Sequence, residues 1–438
     1  MTAEMVGLIG LIVLLLIMFC RFWVGPSMIL VSFIGSLILT GWDSTTQIIG
    51  SVPYSQTANY TIACMPLFIL MGTILSHSQI GADLYVAVRK WMGHIRGGLA
   101  IATIGACGLF SAICGESSAT AITMGKIAFP EMRKYGYSLS LSSCSVVCGG
   151  TIGILIPPSV ILIIYGMLTE ESITHLFMAG VIPGILQVIL YMIVIYIMCR
   201  LKPDIGPAGP KENAREKIRS LKIVWPVVAV FIFVIGGLYG GLFTATEAGA
   251  MGASAALIIT IIMRRMNKTV FSESVKDALQ STAMVFLLLI GAYIFMRFMA
   301  LSNLPPMISE TVINFQQAHH LSPVLIIILI MFVYTILGCF LDSMAVLLLT
   351  VPIITPIVVA MGYDQVWWGI MMVRFIEMSM ITPPFGLNLF IMTKAINTPL
   401  SVLYKGVWPF LIADVVHVAL LIAFPEIALW LPNSMKAT

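Results

Sequence analysis

Two apolar stretches, residues 97–132 and 321–361, are each far longer than one membrane span and contain no polar loop, yet small or polar residues interrupt each near its middle. A hydrocarbon core about 30 Å thick needs roughly 20 residues per spanning helix. Each stretch is therefore read as two short helices that enter and leave on the same side, a re-entrant hairpin. Ten further apolar stretches, at 5–20, 25–41, 59–78, 139–169, 174–199, 223–241, 244–263, 278–301, 365–395 and 402–432, fill most of the remaining chain. Of 438 residues, 59% are hydrophobic and 10% charged, against about 45–50% apolar and about 25% charged in soluble domains. The fold class is an all-α polytopic membrane protein, with room for about ten to twelve spans.

Several functional classes then lose support. The formal net charge is +4, with Lys and Arg confined to short connecting segments, so no extended basic face exists for nucleic acid. Eight cysteines lie in apolar context without a CxxC, and six scattered histidines form no HExxH; they read as packing residues rather than a disulfide framework or a zinc site. No Gly-rich strand-to-helix motif marks a phosphate loop, and no organic cofactor is implied. The first apolar run has no basic segment before it and reads as a retained span rather than a cleaved signal peptide.

Basic residues set orientation, because cytoplasmic loops carry the excess. Residues 200–222 hold seven Lys and Arg and form the cytoplasmic anchor. Threading outward from it places Arg89, Lys90, Arg96, Arg133, Lys134, Arg264, Arg265, Lys268, Lys276, Lys394 and Lys405 inside, while 41–60 and 301–322, free of Lys and Arg, fall outside. Of 23 basic residues, all but Lys126, Arg297, Arg374 and Lys436 land on or beside the cytoplasmic side. That holds only if both long stretches are re-entrant, the first opening to the cytoplasm and the second outward.

The two halves of the chain also match without gaps at an offset of 226 residues. Glu116 pairs with Asp342, Pro130 with Pro356, Gly136-Tyr137 with Gly362-Tyr363, Pro157-Pro158 with Pro383-Pro384, and Gly180, Val181 and Pro183 with Gly406, Val407 and Pro409. With the charge argument, the halves sit in opposite orientations. An inverted repeat with interrupted helices points to a secondary transporter whose site lies near the midplane. In hydrocarbon, irregular backbone survives only where protein or a wet cavity satisfies it, so the hairpin tips and Pro-Pro breaks are where ligands are expected.

The first tip, Phe110 to Ala121, clusters small hydroxyl residues around Gly115, and its partner break runs from Cys148 to Ser159. The second tip is Gly338 to Ser343 and the second break Met380 to Asn388, where Thr382, Gly386 and Asn388 offer the hard oxygen ligands that sodium prefers. Glu116 and Asp342 occupy equivalent tip positions; each is a ligand candidate or a cap of the following short helix. Arg297 and Arg374 are guanidinium groups within spans. Arg374 either contacts a substrate anion or forms a private pair with Glu377 three residues on. Asp414 and His417 share a helix face, and Glu247 reads as part of a helix cap.

The chain resembles the large permease subunit of the tripartite ATP-independent periplasmic (TRAP) transporters, the DctM type of a broader ion-transporter superfamily. The resemblance rests on Met65–Gly72, Gly115–Ala121, Pro130-Glu-Met with Gly136-Tyr137, Gly153–Ser159, Phe177–Gly184, Thr244–Glu247, Leu341-Asp342, Gly369 and Ile381–Asn388. Glu116 departs from the family's pattern, where a small residue is more usual. The resemblance implies an elevator: a transport domain of two hairpins and two broken helices, at 97–170 and 321–395, moving past scaffold or arm segments at 1–96, 171–320 and 396–438. It implies sodium-coupled uptake of a small organic anion, a carboxylate or sulfonate, in the bacterial inner membrane. The implied partners are a small four-helix membrane subunit, not fused here, a periplasmic substrate-binding protein, and membrane lipid. Carried over by motif, one sodium site involves Ser111, Gly115, Ser117, Gly150 and Thr151, and the other Gly338, Asp342, Thr382 and Gly386. Substrate is expected between the tips, near Ser118, Thr120, Pro158, Arg374 and Asn388, with Arg297 as a further anion candidate. The alternatives are a stand-alone symporter of the same superfamily and a proton-translocating subunit of a membrane complex.

Overall fold

The computed structural model describes residues 2–20, 22–209 and 211–435; Lys436 lies outside them. All regular structure among these residues is helical: α1 (Ala3–Phe19), α2 (Val24–Thr57), α3 (Cys64–His77), α4 (Ile80–Met92), α5 (Gly98–Cys114), α6 (Ser117–Lys134), α7 (Leu139–Thr151), α8 (Val160–Thr169), α9 (Ile173–Leu201) and α10 (Ala214–Tyr239) in the first part of the chain. They continue as α11 (Ala245–Ile262), α12 (Lys268–Leu301), α13 (Leu304–Ala318), α14 (Pro323–Phe340), α15 (Ser343–Ala360), α16 (Gln365–Ile381), α17 (Leu387–Ala395), α18 (Leu400–Ala423) and α19 (Glu426–Met435). Side-chain oxygens open many of these helices. Ser138, Ser159, Ser172, Ser322 and Asp364 stand at the N-caps of α7, α8, α9, α14 and α16, each accepting an amide of the first turn, which satisfies donors that the helix itself leaves free. The expected cap at Glu247 is a reciprocal capping box: Thr244 N donates to Glu247 Oε2 at 2.8 Å and Glu247 N to Thr244 Oγ1 at 3.3 Å.

Among the described residues, eight helices are long and apolar enough to cross a membrane, fewer than the ten to twelve spans the apolar runs have room for. The eight include both arms of the second hairpin, α14 and α15, whereas α1 has only 17 residues and two other apolar stretches are segmented. The stretch 139–169 divides into α7 and α8, which have 13 and 10 residues, and the stretch 97–132 into α5 and α6. None of these four reaches the spanning criterion alone.

The repeat seen in the residues is also a repeat of elements. At an offset of 226, α5 and α14 end together, α6 and α15 begin and end together, α7 and α16 begin together, and α8 and α17 end together. The offset further aligns two helices that the apolar runs do not contain, α4 and α13. The orientations are opposite. Both ends of the α5–α6 hairpin lie against the loop after α9: Gly97 N donates to Gly206 O and Ser138 N to Ile205 O, while Tyr137 Oη receives Leu99 N at 3.1 Å. This is the face of the basic loop. The α14–α15 hairpin returns on the other face, where Gln365 Nε2 donates to Thr169 O and Tyr165 Oη to Gln365 O, both at 2.8 Å.

Packing between helices uses small residues, as expected where lipid tails compete equally for apolar side chains. The long helices α2 and α12 cross at Gly25 and Gly291, so close that a methyl group on Gly291 would stand 2.6 Å from Gly25 O. Helix α2 bends at Gly41, where the backbone leaves helical geometry. The hairpins and broken helices pack with α9 and α18 into one body, against which α3 and α12 lie.

Candidate functional site

Each hairpin tip rests on the break of the following helix. At tip 1, α5 ends at Gly115 with φ +62°, and Gly115 N donates to Ser111 O at 2.9 Å. A side chain at Gly115 would collide with Pro158 O, and one at Gly153 would stand 2.7 Å from Glu116 O. The hydroxyls of Ser111, Thr120 and Thr151 turn back onto the carbonyls of Cys107, Glu116 and Cys148 at 2.6–2.8 Å. Ser117 is buried and accepts a hydrogen bond from Asn388 Nδ2 at 2.7 Å, which ties tip 1 to the break of the other half. Asn388 Oδ1 is buried with no partner. Thus Ser111, Gly115, Ser117, Gly150 and Thr151 gather around tip 1, with Thr120, Pro158 and Asn388 directly behind it.

Tip 2 repeats the arrangement on α16 and its break. A side chain at Gly338 would collide with Ser379 Oγ, Cys339 Sγ lies 3.8 Å from Thr382 O, and Thr382 Oγ1 donates to Met378 O at 2.6 Å. Gly386, where α17 begins, lies beside Met380 O. The two tip carboxylates differ. Asp342 caps α15, accepting Ala345 N at 2.9 Å, whereas Glu116 makes no cap bond to α6. The capping alternative therefore describes Asp342 and not Glu116. Peptide bonds Pro157–Pro158 and Pro383–Pro384 are both cis.

Between the tips and helices α3 and α12 lies a cavity of about 370 Å³. Glu116 and Ser118 of tip 1, Asp342 and Ser343 of tip 2, and Asp277 and His77 of the facing helices line it. His77 Nε2 and Asp277 Oδ2 are 2.8 Å apart, with side chains 30% and 49% exposed. They stand at the cavity end nearest the basic face, since the same end of α12 follows Arg265, which donates to Ser78 O at 3.2 Å. No Arg or Lys is among the residues lining this cavity. His77 and Asp277, on the wall from α3 and α12, belong to no motif in the sequence.

Neither guanidinium lines the cavity. Arg374 is fully buried and pairs with Glu377 and with Asp414, whose Oδ1 is 2.9 Å from Nη2. Of the two readings open for Arg374, the ion pair describes its surroundings, extended by a second carboxylate 40 residues away. Arg297 is exposed and lines a separate, larger cavity with Gln47, Glu170 and Tyr293. Of the substrate candidates, Ser118 faces the inter-tip cavity directly.

Known proteins fit this geometry. Residues 11–427 match the family described as "Tripartite ATP-independent periplasmic transporter, DctM component". The C4-dicarboxylate TRAP transporter large permease protein DctM of Pseudomonas aeruginosa is 34% identical over 384 residues, covering 87% of this chain and 88% of its own. The ectoine/5-hydroxyectoine TRAP transporter large permease protein UehC of Ruegeria pomeroyi is 32% identical over 403 residues, covering 91% and 92%. Among solved structures, the YdaH transporter of Alcanivorax borkumensis superposes with a TM-score of 0.61 over 90% of both chains at 12% identity, a likeness of fold. Two inverted hairpins, two broken helices and a match along nearly the whole chain identify a multi-pass membrane protein that is no enzyme: it belongs to the DctM family of TRAP transporter large permeases.

Proposed function

We propose that this chain is the large membrane subunit of a tripartite secondary transporter that imports a small organic anion, a carboxylate or sulfonate, across the bacterial inner membrane, driven by sodium and moving as an elevator. A periplasmic binding protein delivers the solute, and a small four-helix membrane subunit completes the complex. The observation that carries this reading is the meeting of the two tips at one cavity, each tip seated on a helix break. Such breaks offer carbonyl oxygens to a cation and helix N-termini to an anion. Sodium is assigned to tip 1 with Ser111, Gly115, Ser117, Gly150 and Thr151, and to tip 2 with Gly338, Asp342, Thr382 and Gly386. The moving body is assigned the hairpins and the broken helices together with α9 and α18, which pack against them and are here taken out of the scaffold segments 171–320 and 396–438, sliding on α3 and α12. Each net positive charge carried inward gains about 2.3 kcal/mol per 100 mV, roughly fortyfold in accumulation.

In proteoliposomes containing this chain, the small subunit and the binding protein, uptake is expected to require an inward sodium gradient. Undiminished uptake when potassium replaces sodium would overturn the coupling, and uptake by this chain alone would favour a stand-alone symporter.

The cavity lining favours a second reading of the solute. An organic anion places its carboxylate at Ser118 and the free amides of α6, which Glu116 leaves uncapped. Yet with Asp342 assigned to sodium and Asp277 beside His77, Glu116 lines the same space with no Arg or Lys, which favours a solute that also bears a cationic nitrogen. Ectoine, in the name of one relative, is such a zwitterion. For a zwitterionic solute, Glu116→Gln is expected to lower uptake at least about tenfold, the loss of a charge-assisted hydrogen bond; for a simple dicarboxylate it is expected to leave uptake equal or higher. Competition of both solute classes against one labelled substrate separates the two.

A further inference from the structure

Between α9, α16 and α18 lies a polar cluster that the proposed transport site does not use. Arg374, Glu377, Asp414 and His417 are each at most 1% exposed. Asp414 Oδ1 accepts Gln187 Nε2 at 2.6 Å, Tyr191 Oη at 2.8 Å and Arg374 Nη2 at 2.9 Å, while Arg374 Nη1 donates to Glu377 Oε2. Two carboxylates thus share one guanidinium. Six polar atoms of this cluster are buried without a partner: Gln187 Oε1, Arg374 Nε, Glu377 Oε1, Asp414 Oδ2 and both ring nitrogens of His417.

The charges do not balance as drawn. With both acids ionised and His417 neutral, a net negative charge sits at membrane depth, where an uncompensated charge is strongly disfavoured. The helices packed against α16 supply no countercharge. Their other charged side chains, His175 and Arg200 of α9, Lys394 of α17, Lys405 of α18 and Glu426 of α19, are partly or fully exposed, and Asp342 is at tip 2. Cys144 and Cys148 of α7, Tyr165 of α8 and Tyr334 of α14 are uncharged as thiols and phenols. No group of three or more His, Cys, Asp or Glu among the described residues could hold a metal ion.

We propose that this cluster is a proton-binding site and that Glu377 carries the proton. Three donors converge on Asp414 Oδ1, enough to satisfy a carboxylate oxygen. Glu377 receives one donor, and its buried Oε1, which has no partner, is the position for an O–H. The loaded cluster then consists of Arg374 cation, Asp414 anion and neutral acid, and carries no net charge. The helices α9 and α18 are repeat partners, so the proton sits where the two inverted halves meet.

Infrared difference spectra of the full chain in lipid nanodiscs at neutral pH test this assignment. Wild type is expected to show the carbonyl stretch of a protonated carboxylic acid, sensitive to deuterium exchange, that is missing from Glu377→Gln. It is also expected to be missing from Asp414→Asn, because removing the second anion lets Glu377 ionise against Arg374. The two variants act independently, so one that fails to fold leaves the other to decide. A difference spectrum without this band in either folded variant overturns the proposal. A band lost only from Asp414→Asn and retained in Glu377→Gln overturns the assignment to Glu377. Thermal unfolding gives a second readout. A proton held only in the folded state gives the folding equilibrium a slope against pH. Glu377→Gln is expected to remove that part of the slope; an unchanged slope counts against the site.

Discussion

Arg374→Met is expected to yield little folded protein. The substitution keeps an unbranched side chain of similar reach but leaves Asp414 buried with Glu377 and no cation, all at most 1% exposed. Removing one partner of a buried ion pair typically costs about 3–5 kcal/mol, because the remaining charge has neither water nor a counter-ion. That is comparable to the whole stability of many domains. Size-exclusion profiles of the full chain extracted from membranes should show loss of the monodisperse peak and a lowered midpoint for heat-induced aggregation. Adding Asp414→Asn should recover much of the peak, since the cluster is then neutral with Glu377 protonated. A stable Arg374→Met protein with impaired solute uptake would instead make Arg374 a solute contact.

The second large effect is expected at tip 1. Gly115 has φ +62° and would direct any side chain into Pro158 O. Left-handed backbone alone costs a non-glycine residue about 1–2 kcal/mol, and the collision adds to it by forcing the tip off the break. Gly115→Val is therefore expected to reduce solute uptake by at least about a hundredfold, on the order of 2.7 kcal/mol in the transport barrier, with the chain still inserted in the membrane. Gly362→Ala is the matched control. Gly362 has φ +89° but nothing within 4 Å of the added carbon, so it carries backbone strain without displacing a tip and should transport at nearly normal rates. Equal uptake by both variants would show that contact between tip 1 and its break does not matter for transport.

Much of the architecture is readable in the residues because its causes are local. The runs 97–132 and 321–361 are too long for one span, their midpoints are rich in small and polar residues, and Gly115 and Asp342 mark where the chain turns back. The 226-residue offset survives as an alignment of helix ends, because the same caps, glycines and Pro-Pro pairs act on the backbone in both halves. Helices α4 and α13 escape that reading, since their polar faces keep them out of the apolar runs.

The site is less legible. The gathering of Ser111, Ser117 and Thr151 at one tip, and of Gly338 and Thr382 at the other, follows motifs within single segments. The hydrogen bond from Asn388 to Ser117 spans 271 positions, and the bonds from Gln187 and Tyr191 to Asp414 span 227 and 223. Arg374 shows the division most clearly. Its pair with Glu377 is visible at helical spacing, but its second partner, Asp414, comes from another helix.

The sequence by itself determined that this chain crosses a membrane, that its halves are inverted and that two hairpins and two breaks interrupt them. Hydropathy, charge and backbone breaks act along the chain and need no knowledge of distant neighbours. Only the tertiary structure decided that the cavity between the tips is walled by α3 and α12 and that both guanidiniums lie outside it. It also decided that the acid on tip 1 leaves its helix uncapped while the acid on tip 2 caps its own. Those outcomes depend on which donors and acceptors the packing brings within about 3 Å of each other, a relation in space to which spacing along the chain gives no access.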